Sequence, residues 1–242
     1  MRVLLLGGTS ESRAIAASPP GGVHLVESWA GRLAGEAGRA DRVGGFGGAS
    51  GLAAYLVAEG IVAVVDATHP FAARMTGHAA EACALAGVPL LRVNRQGWGH
   101  HPLAATWRWV DDHAAAARAA AGGGGRVLLT VGRQPLPFYR GLPDVVARVA
   151  EAPAGPLPPG WRLLVARGPF GEADERALLA SERVGVLVTK DAGGPSGKLD
   201  AAAALGVAVV VVRRAAGPAG LVEVPDAAGA LAWLADLAAR QG

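Results

Sequence analysis

The sequence has one cysteine, Cys83, and few charged residues, which make up 18% of its 242 positions. A single cysteine cannot form an internal disulfide or supply a multi-cysteine zinc site, so we expect a reducing, cytoplasmic compartment. Long hydrophobic runs are also missing. The longest nearly continuous one covers residues 201–212, whereas a membrane span needs about 18 apolar residues or more. A hydrophobic fraction of 51% excludes intrinsic disorder, and we therefore expect a folded protein without a membrane segment.

Lysine is almost absent as well, because the only two, Lys190 and Lys198, lie in one short segment and arginine carries the remaining positive charge. The formal net charge of +3 suits a polyanionic small molecule. The sequence has no run of arginines and no alternation of aromatic and basic residues, the patterns that are typical of nucleic-acid-binding modules. His100 and His101 have no third ligand at metal spacing, so no metal site is predicted. The sequence makes no prediction about the oligomeric state.

Strand-like and helix-like segments alternate along the chain in two blocks, which predicts an α/β fold with parallel sheets. Periodicity disappears between residues 94 and 106, and we expect two domains, residues 1–97 and residues 98–242. Strands are predicted at residues 2–6, 23–28, 61–66, 88–93, 127–131, 145–149, 162–165, 184–189 and 207–212. Helices are predicted at residues 10–17, 52–59, 71–86, 172–181, 199–205 and 227–240.

A glycine-containing turn follows the first predicted strand. Gly7 and Gly8 would let the backbone approach a phosphate, and Thr9 and Ser10 begin the next helix, whose amide groups would point at it. The dinucleotide fingerprint G-x-G-x-x-G is not present. The alternative is an ordinary strand-to-helix turn capped by Thr9 or Ser10.

In dinucleotide-binding folds, residues at the end of the second strand commonly bind the adenosine ribose. Ser28 and Arg32 favour the 2′-phosphate of NADP, whereas Glu27 favours NAD. A glycine cluster around one aromatic residue follows and includes Gly45. It indicates either backbone pressed against a flat ligand or a flexible connector.

A polar cluster comprising Asp66, Thr68 and His69 ends the next strand, which is the end where open parallel sheets bind ligands. His69 could donate to a carboxylate or act as an acid. In the alternative interpretation, Asp66 caps the following helix and His69 is satisfied by local hydrogen bonds.

Cationic residues follow several strands of the second block. Arg133, beside Gln134, and Arg167 are expected to bind carboxylates, although surface arginines are common. The loop between Lys190 and Lys198 contains Gly193 and Gly194 and resembles a P-loop, but Leu199 stands where a Ser or Thr is required. ATP hydrolysis is therefore disfavoured. We expect a phosphate or carboxylate cradle there, or else a plain polar loop.

The order of these motifs resembles the precorrin-6A reductase family of cobalamin biosynthesis, including its cobalt-precorrin form. The segments LLLGGTSESR, ESWAGR, VGGFGG, DATHPFA, VGRQ, RGPF and VTKDAGG carry the resemblance, with DATHPFA and TKDAGG the most specific. Val131 and Ala192 depart from the family pattern. The resemblance implies two Rossmann-like domains with a ligand cleft between them and an NADPH-dependent reduction of one carbon–carbon double bond in a tetrapyrrole.

On this basis each predicted site residue receives a role. Lys190 and His69 are the candidate catalytic residues. Cofactor binding is expected at Gly7, Gly8, Thr9, Ser10, Ser28, Arg32, Gly45 and Thr68, and binding of the carboxylate-rich substrate at Arg133, Gln134, Arg167, Gly193, Gly194 and Lys198. Two other classes stay open: a glycosyl transferase with two Rossmann domains that uses a sugar nucleotide, and a non-catalytic tetrapyrrole or nucleotide carrier.

Overall fold

The computed structural model describes residues 1–29 and 40–240 and divides the chain into two compact units. Unit 1 comprises residues 1–96 and 216–242, and unit 2 comprises residues 97–215. Each unit contains one six-stranded sheet whose strand pairs are all parallel. The predicted α/β class with parallel sheets is confirmed.

Unit 1 begins with alternating strands and helices and ends with a strand and helix from the C-terminal part of the chain. Its strands are β1 (Arg2–Leu6), β2 (His24–Trp29), β3 (Arg42–Val43), β4 (Ile61–Asp66) and β5 (Leu90–Val93). Its helices are α1 (Ser10–Ala17), α2 (Gly48–Ala58) and α3 (Ala73–Ala86).

Unit 2 contains strands β6 (Arg108–Val110), β7 (Arg126–Leu129), β8 (Val145–Val149), β9 (Trp161–Val165), β10 (Val184–Lys190) and β11 (Ala208–Val212). Its helices are α4 (His113–Ala121), α5 (Glu172–Ser181) and α6 (Gly197–Ala204). Short 3₁₀ turns lie at Trp98–His100, Ala104–Thr106 and Leu136–Tyr139. Unit 1 is then completed by β12 (Val222–Val224) and α7 (Ala227–Ala239).

The strand orders are β12-β5-β4-β1-β2-β3 in unit 1 and β6-β11-β10-β7-β8-β9 in unit 2. In unit 1 the strands that follow β1 are added on one side of it, and those from β4 onward on the other side. Unit 2 is built in the same way around β7 and β10, so the strand order reverses between β1 and β4 and between β7 and β10. Ligands of open α/β sheets bind at the carboxyl ends of the strands beside such a reversal.

The core of unit 1 covers both faces of its sheet. Val3 and Leu5 pack into one hydrophobic cluster, whereas Leu4 and Leu6 pack into another. This division follows from the period of two in a strand, and it explains why β1 is a continuous apolar run. Cys83 is buried in the second cluster, and burial raises the pKa of its thiol to about 12, which makes it an inert core residue.

The end of the chain differs from the sequence-based expectation that residues 98–242 form one domain. Val222 pairs with Leu91 of β5, and Ala230 and Leu234 of α7 pack into the core of unit 1. The last residues thus return to the first sheet. Pairing between strands so far apart in sequence leaves no local signal, and β12 has only three residues.

Four elements of the structure have no counterpart in the sequence-based assignment: β3, β6, β12 and α4. The three strands are two or three residues long, too short for an alternating pattern to be visible. Helix α4 has the sequence HAAAARAAA, in which alanine fills both the buried and the exposed positions. Hydrophobic periodicity therefore vanishes although the helix is N-capped by the Asp112 side chain, which accepts from the Ala115 amide at 2.7 Å.

Candidate active site

The predicted phosphate loop of unit 1 lies at the reversal of strand order between β1 and β4. The Thr9 hydroxyl donates to the carbonyl of Ala67 at 2.8 Å, and the Ala67 amide donates to the carbonyl of Leu6 at 2.9 Å. Two motifs that are far apart in sequence, the glycine turn and the polar cluster after β4, are thus adjacent at one sheet edge.

The conformation of this loop gives its two glycines different roles. A Cβ on Gly7 would lie 3.0 Å from Nε1 of Trp29, so this position is restricted by packing. Gly8 has φ of +112° and open space where its Cβ would point. The amides of Gly8 and Thr9 donate to Oγ of Ser12 at 3.0 and 3.1 Å, so these two donors face the protein. An approaching phosphate would therefore meet the open side of Gly8.

Thr9 and Ser10 differ in what their side chains do. The Thr9 hydroxyl caps α1 by accepting from the Ser12 amide at 3.1 Å, and it is buried. The Ser10 hydroxyl is exposed and donates to Glu11 at 3.0 Å. Capping by Thr9, one of the two alternatives for this turn, is present in the structure. Only Ser10 presents its side chain to solvent at the helix N-terminus.

A small, shallow pocket opens beside this loop, and its lining includes Thr9, Glu11, Thr68, Pro70 and Arg95. Arg95 forms an ion pair with Glu11 at 2.9 Å. Burial would raise the pKa of Glu11, but a hydrogen bond to its own backbone and the Arg95 charge outweigh that effect and lower it. No role was predicted for Glu11, although it ends the glycine-turn motif, or for Arg95, which lies outside every motif.

Arg42, which was not predicted from the sequence, lies in β3 beside the end of β2, where the adenosine ribose of a dinucleotide is expected to bind. Arg42 donates to Oγ of Ser28 at 3.3 Å and to the carbonyls of Gly44 and Gly45 at 2.7 and 2.6 Å. Its guanidinium carbon lies 3.6 Å from the ring centre of Phe46. The predicted Arg32 lies outside the described residues.

Asp66, at the end of β4, is fully buried and accepts hydrogen bonds on both carboxylate oxygens. Oδ1 accepts from the amide and the hydroxyl of Thr68 at 3.0 and 2.6 Å. Oδ2 accepts from Thr76 and from Arg92, both at 2.7 Å. Asp66 thereby fixes the conformation of the loop that carries Thr68, and Arg92 neutralises its charge.

His69 lies in the same loop, and its Nδ1 accepts from the amide of Phe71 at 3.2 Å. An accepting Nδ1 in a neutral imidazole places the ring proton on Nε2. The local hydrogen bond matches the structural alternative for His69.

In unit 2 the reversal of strand order brings the end of β7 beside the end of β10. The Thr130 amide donates to the carbonyl of Val188 at 2.9 Å. Gly132, with φ of +82°, lies close to Lys190, because a Cβ at this position would be 3.9 Å from the lysine Nζ. The VGRQ segment and the TKDAGG segment therefore lie next to each other at this end of the sheet.

The pKa values of Lys190 and of the nearby His113 are both lowered. Burial lowers the pKa of Lys190 to about 8. Burial and then the Lys190 charge lower the pKa of His113 to about 4. Nδ1 of His113 lies 2.8 Å from the hydroxyl of Tyr139, whose pKa is raised by burial. His113 is the first residue of α4, and neither His113 nor this helix was predicted from the sequence.

Of the other predicted residues of unit 2, Arg133 and Gln134 follow Gly132 in the segment after β7, and Arg167 follows β9. Arg133 forms an ion pair with Glu151 at 3.0 Å and donates to the Ala152 carbonyl at 3.3 Å, while Gln134 is exposed. Arg167 follows β9 and is exposed. Arg133 would have to exchange or share Glu151 in order to bind a carboxylate of a ligand.

The loop after β10 has the backbone geometry of a turn. Gly193 and Gly194 have φ of +66° and +75°. Lys198 donates to Oγ1 of Thr189 at 3.5 Å, and its Nζ lies 5.0 Å from the ring centre of Trp98. The two lysines are thus held on opposite ends of the same loop.

Comparison with known proteins identifies the family. The sequence matches the family described as precorrin-6x reductase CbiJ/CobK over residues 2–235. The chain belongs to this reductase family. It is 43% identical to the precorrin-6A reductase of Rhodococcus erythropolis, and the alignment covers 99% of each chain. It is 44% identical to the precorrin-6A reductase of Mycobacterium tuberculosis strain H37Rv, with 85% of each chain covered.

A solved structure supports the assignment to the precorrin-6x reductase family. The CobK precorrin-6A reductase superposes on this chain with a TM-score of 0.87 and 39% sequence identity, covering 97% of this chain and 96% of the other. The resemblance inferred from the sequence motifs is therefore confirmed. In the part of the chain that the structure describes, no helix is long and apolar enough to cross a membrane.

Proposed function

We propose that the protein is an NADPH-dependent reductase that converts precorrin-6A, or its cobalt form, to precorrin-6B by saturating one carbon–carbon double bond of the macrocycle. Family membership and the relatives named precorrin-6A reductase support this reaction. The observation that carries the residue assignment is the position of both predicted loops at the two reversals of strand order, where ligands of α/β sheets bind.

Unit 1 is proposed to bind NADPH, and its residues fit the pyrophosphate. Gly8 has positive φ and open space beside it, and the N-terminus of α1 adds a partial positive charge. Ser10 presents a hydroxyl at the same end. The ionised Glu11 would repel a phosphate, but its ion pair with Arg95 offsets that charge.

The preference for NADPH over NADH is assigned to Ser28 and Arg42, with Arg32 as a further candidate. Arg42 lies in β3 and pairs with Ser28 near the end of β2, where the adenosine ribose is expected, and its guanidinium is oriented by Phe46 and two backbone carbonyls. A guanidinium in this place can bind the 2′-phosphate through charge-assisted hydrogen bonds. Thr68 lines the neighbouring pocket and His69 follows it in the same loop, and both are proposed to contact the remainder of the cofactor.

Unit 2 is proposed to bind the acetate and propionate groups of the macrocycle. Arg133, Gln134 and Arg167 lie at strand ends, and Lys198 lies at the start of α6. Arginine binds carboxylates through two parallel hydrogen bonds, which favours it over lysine for orienting a planar ligand. Successive backbone amides in a turn such as that at Gly193 and Gly194 can form a concave anion-binding site, and they are proposed to bind the same groups.

Lys190 is proposed to act at the reacting atoms. When bound, NADPH supplies the hydride, which carries two electrons to one carbon of the double bond, and a proton is required at the neighbouring carbon. The Lys190 ammonium stabilises negative charge that develops on the conjugated ring, and with a pKa of about 8 it holds a transferable proton at neutral pH. The neutral His113 beside it adds no competing positive charge.

The test is a direct assay with the purified protein, NADPH and precorrin-6A, in which the absorbance of NADPH and of the macrocycle is followed together. Equal consumption of NADPH and substrate is expected, with precorrin-6B as the product. A glycosyl transferase would consume no NADPH and would bind a nucleoside diphosphate alone, and a carrier would bind the macrocycle without turnover. Either result would contradict the proposed reaction.

A further inference from the structure

The segment of residues 97–101 contacts the loop between β10 and α6 although the sequence marks it only as a break in periodicity. The backbone amide of Trp98 donates to Oδ1 of Asp191 at 2.8 Å, and its indole Nε1 donates to the carbonyl of Gly194 at 3.0 Å. Trp98 is 5% exposed, so these bonds are sheltered from water. One residue thus holds both ends of the Asp191–Gly194 turn.

Asp191 is the centre of this arrangement, and it directly follows Lys190. Its carbonyl accepts from Nε of Arg214 at 2.7 Å, and the same Nε lies 3.3 Å from Oδ2. Its amide donates to the carbonyl of Val212 at 2.9 Å. A Cβ on Gly97 would lie 2.5 Å from Oδ2, so only glycine allows the chain to pass this close to the carboxylate.

The contacts of Asp191 coincide with the two places where the chain enters and leaves unit 2. Gly97 is the first residue of the unit and Ala215 is the last. Trp98 follows the first crossing and Arg214 precedes the second, and both bind Asp191. Asp191 therefore links the loop that carries Lys190 to Trp98 and Arg214, which lie next to the two points where the chain enters and leaves unit 2.

The same segment also contacts the residues around Lys198. The indole ring of Trp98 lies 5.0 Å from the Lys198 Nζ, a distance at which an aromatic face attracts an ammonium. Nε2 of His101 lies 3.0 Å from Oδ1 of Asp200, in the first turn of α6. Residues 97–101 thus support the loop and the start of the helix that follows it.

We infer that Asp191 and Trp98 are positioning residues, which hold the Lys190–Gly194 backbone and the Lys198 ammonium in the arrangement that binds the carboxylate groups of the macrocycle. This inference rests on the proposed function of the loop. Neither residue touches the reacting atoms in this account. Preorganisation of such a loop affects the rate strongly, because a displacement of about 1 Å can reduce turnover about a hundredfold.

The first test compares Trp98→Phe with Trp109→Phe. Trp98→Phe removes the hydrogen bond to Gly194 and keeps an aromatic ring beside Lys198. Trp109 provides a matched control, because its Nε1 donates at 2.8 Å to the carbonyl of Ala104, a residue of the same unit outside the loop. We expect kcat/KM for precorrin-6A to fall about fivefold in Trp98→Phe and less than about twofold in the control.

The second test compares Asp191→Asn with Asp111→Asn. Asp111 forms an exposed ion pair with Arg213 at 2.9 Å, one residue away from the partner of Asp191. Asp191→Asn keeps a side-chain acceptor for the Trp98 amide and the backbone bond to Arg214, but it removes the carboxylate charge that strengthens the first bond and pairs with Arg214. We expect kcat/KM for precorrin-6A to fall about tenfold, with NADPH affinity within about twofold of wild type. Should Asp191→Asn fail to fold, the tryptophan pair decides the question by itself.

A binding measurement separates this inference from the proposed reaction. Uroporphyrin, a stable tetrapyrrole with acetate and propionate groups, is titrated into each variant and followed by fluorescence, while NADPH affinity is measured by calorimetry. Weaker uroporphyrin binding in Trp98→Phe and Asp191→Asn than in their controls, with NADPH affinity unchanged, supports positioning even if wild-type protein reduces no precorrin-6A. Variants that match their controls in turnover and in uroporphyrin binding would overturn the inference, as would an equal loss of NADPH affinity.

Discussion

Gly132 lies against Lys190, so that a Cβ at residue 132 would be 3.9 Å from the lysine Nζ. The two residues come from the ends of β7 and β10, which are neighbouring parallel strands. A glycine at this position leaves room beside the ammonium, whereas a larger side chain would cover it. The close approach of Gly132 to the Lys190 Nζ is therefore a consequence of strand pairing together with the positive φ of Gly132.

Replacing Lys190 by methionine should lower kcat for precorrin-6A reduction by about a hundredfold, because a preorganised charge next to the reacting atoms is worth about 3 kcal/mol. Methionine keeps much of the apolar stem, so the fold should survive. Steady-state kinetics with both substrates checks this. A loss confined to KM would indicate uniform binding, and wild-type kinetics would exclude any role.

The pH dependence of kcat should report the Lys190 ammonium. Because the charged form is the active one and its pKa is lowered by burial to about 8, kcat should be highest below this pH and fall above it. In Lys190→Arg the side chain stays charged at higher pH, so the decline near pH 8 should disappear from the residual activity. A wild-type profile that stays flat through this region would contradict the assignment.

Arg42→Ala should raise the KM for NADPH about tenfold or more, because it removes a charge-assisted bond to the 2′-phosphate. Arg42 also supports the Gly44–Gly45 backbone and Phe46, so some general weakening is expected. The KM for NADH, which lacks this phosphate, measures that general effect in the same variant. Equal increases for both cofactors would show that Arg42 only supports the loop.

Gly8→Ala should weaken NADPH binding by more than backbone strain explains. Gly8 has φ of +112°, so an alanine there costs about 1–2 kcal/mol of stability even without a ligand. Gly22→Ala is the matched control, since Gly22 has φ of +77°, open space for a Cβ, and a position in the turn before β2. Calorimetry should show reduced NADPH affinity only in Gly8→Ala, and equal affinities would leave this turn without a cofactor role.

Asp66→Asn should destabilise unit 1 by about 3 kcal/mol, because the buried Arg92 loses its nearer carboxylate partner at 2.7 Å and keeps only the half-exposed Glu223 at 3.7 Å. Denaturant unfolding measures this free energy. Glu59→Gln removes the exposed ion pair with Arg2 and should cost less than about 1 kcal/mol. If both variants unfold at the same denaturant concentration, the Asp66–Arg92 pair does not stabilise the fold.

The sequence alone predicted the strands and helices that have long, distinct apolar runs. Strands such as β1 and β4 are continuous apolar segments because both faces of their sheet are buried, and glycine or proline marks their ends. The loops at the strand ends were predicted for the same reason, since a parallel sheet places its functional loops after its strands. Gly7, Gly8, Thr68 and Lys190 were recognised in this way.

Only the tertiary structure showed which of these loops meet and what their side chains contact. Arg42, Arg95 and His113 were missed because their significance comes from neighbours on other strands, and α4 was missed because alanine fills both of its faces. The pairing of β12 with β5 and the two chain crossings at Asp191 join residues that are distant along the chain. Local sequence determines where strands and turns form, whereas long-range packing selects the strand order, and the strand order decides which polar side chains share a site.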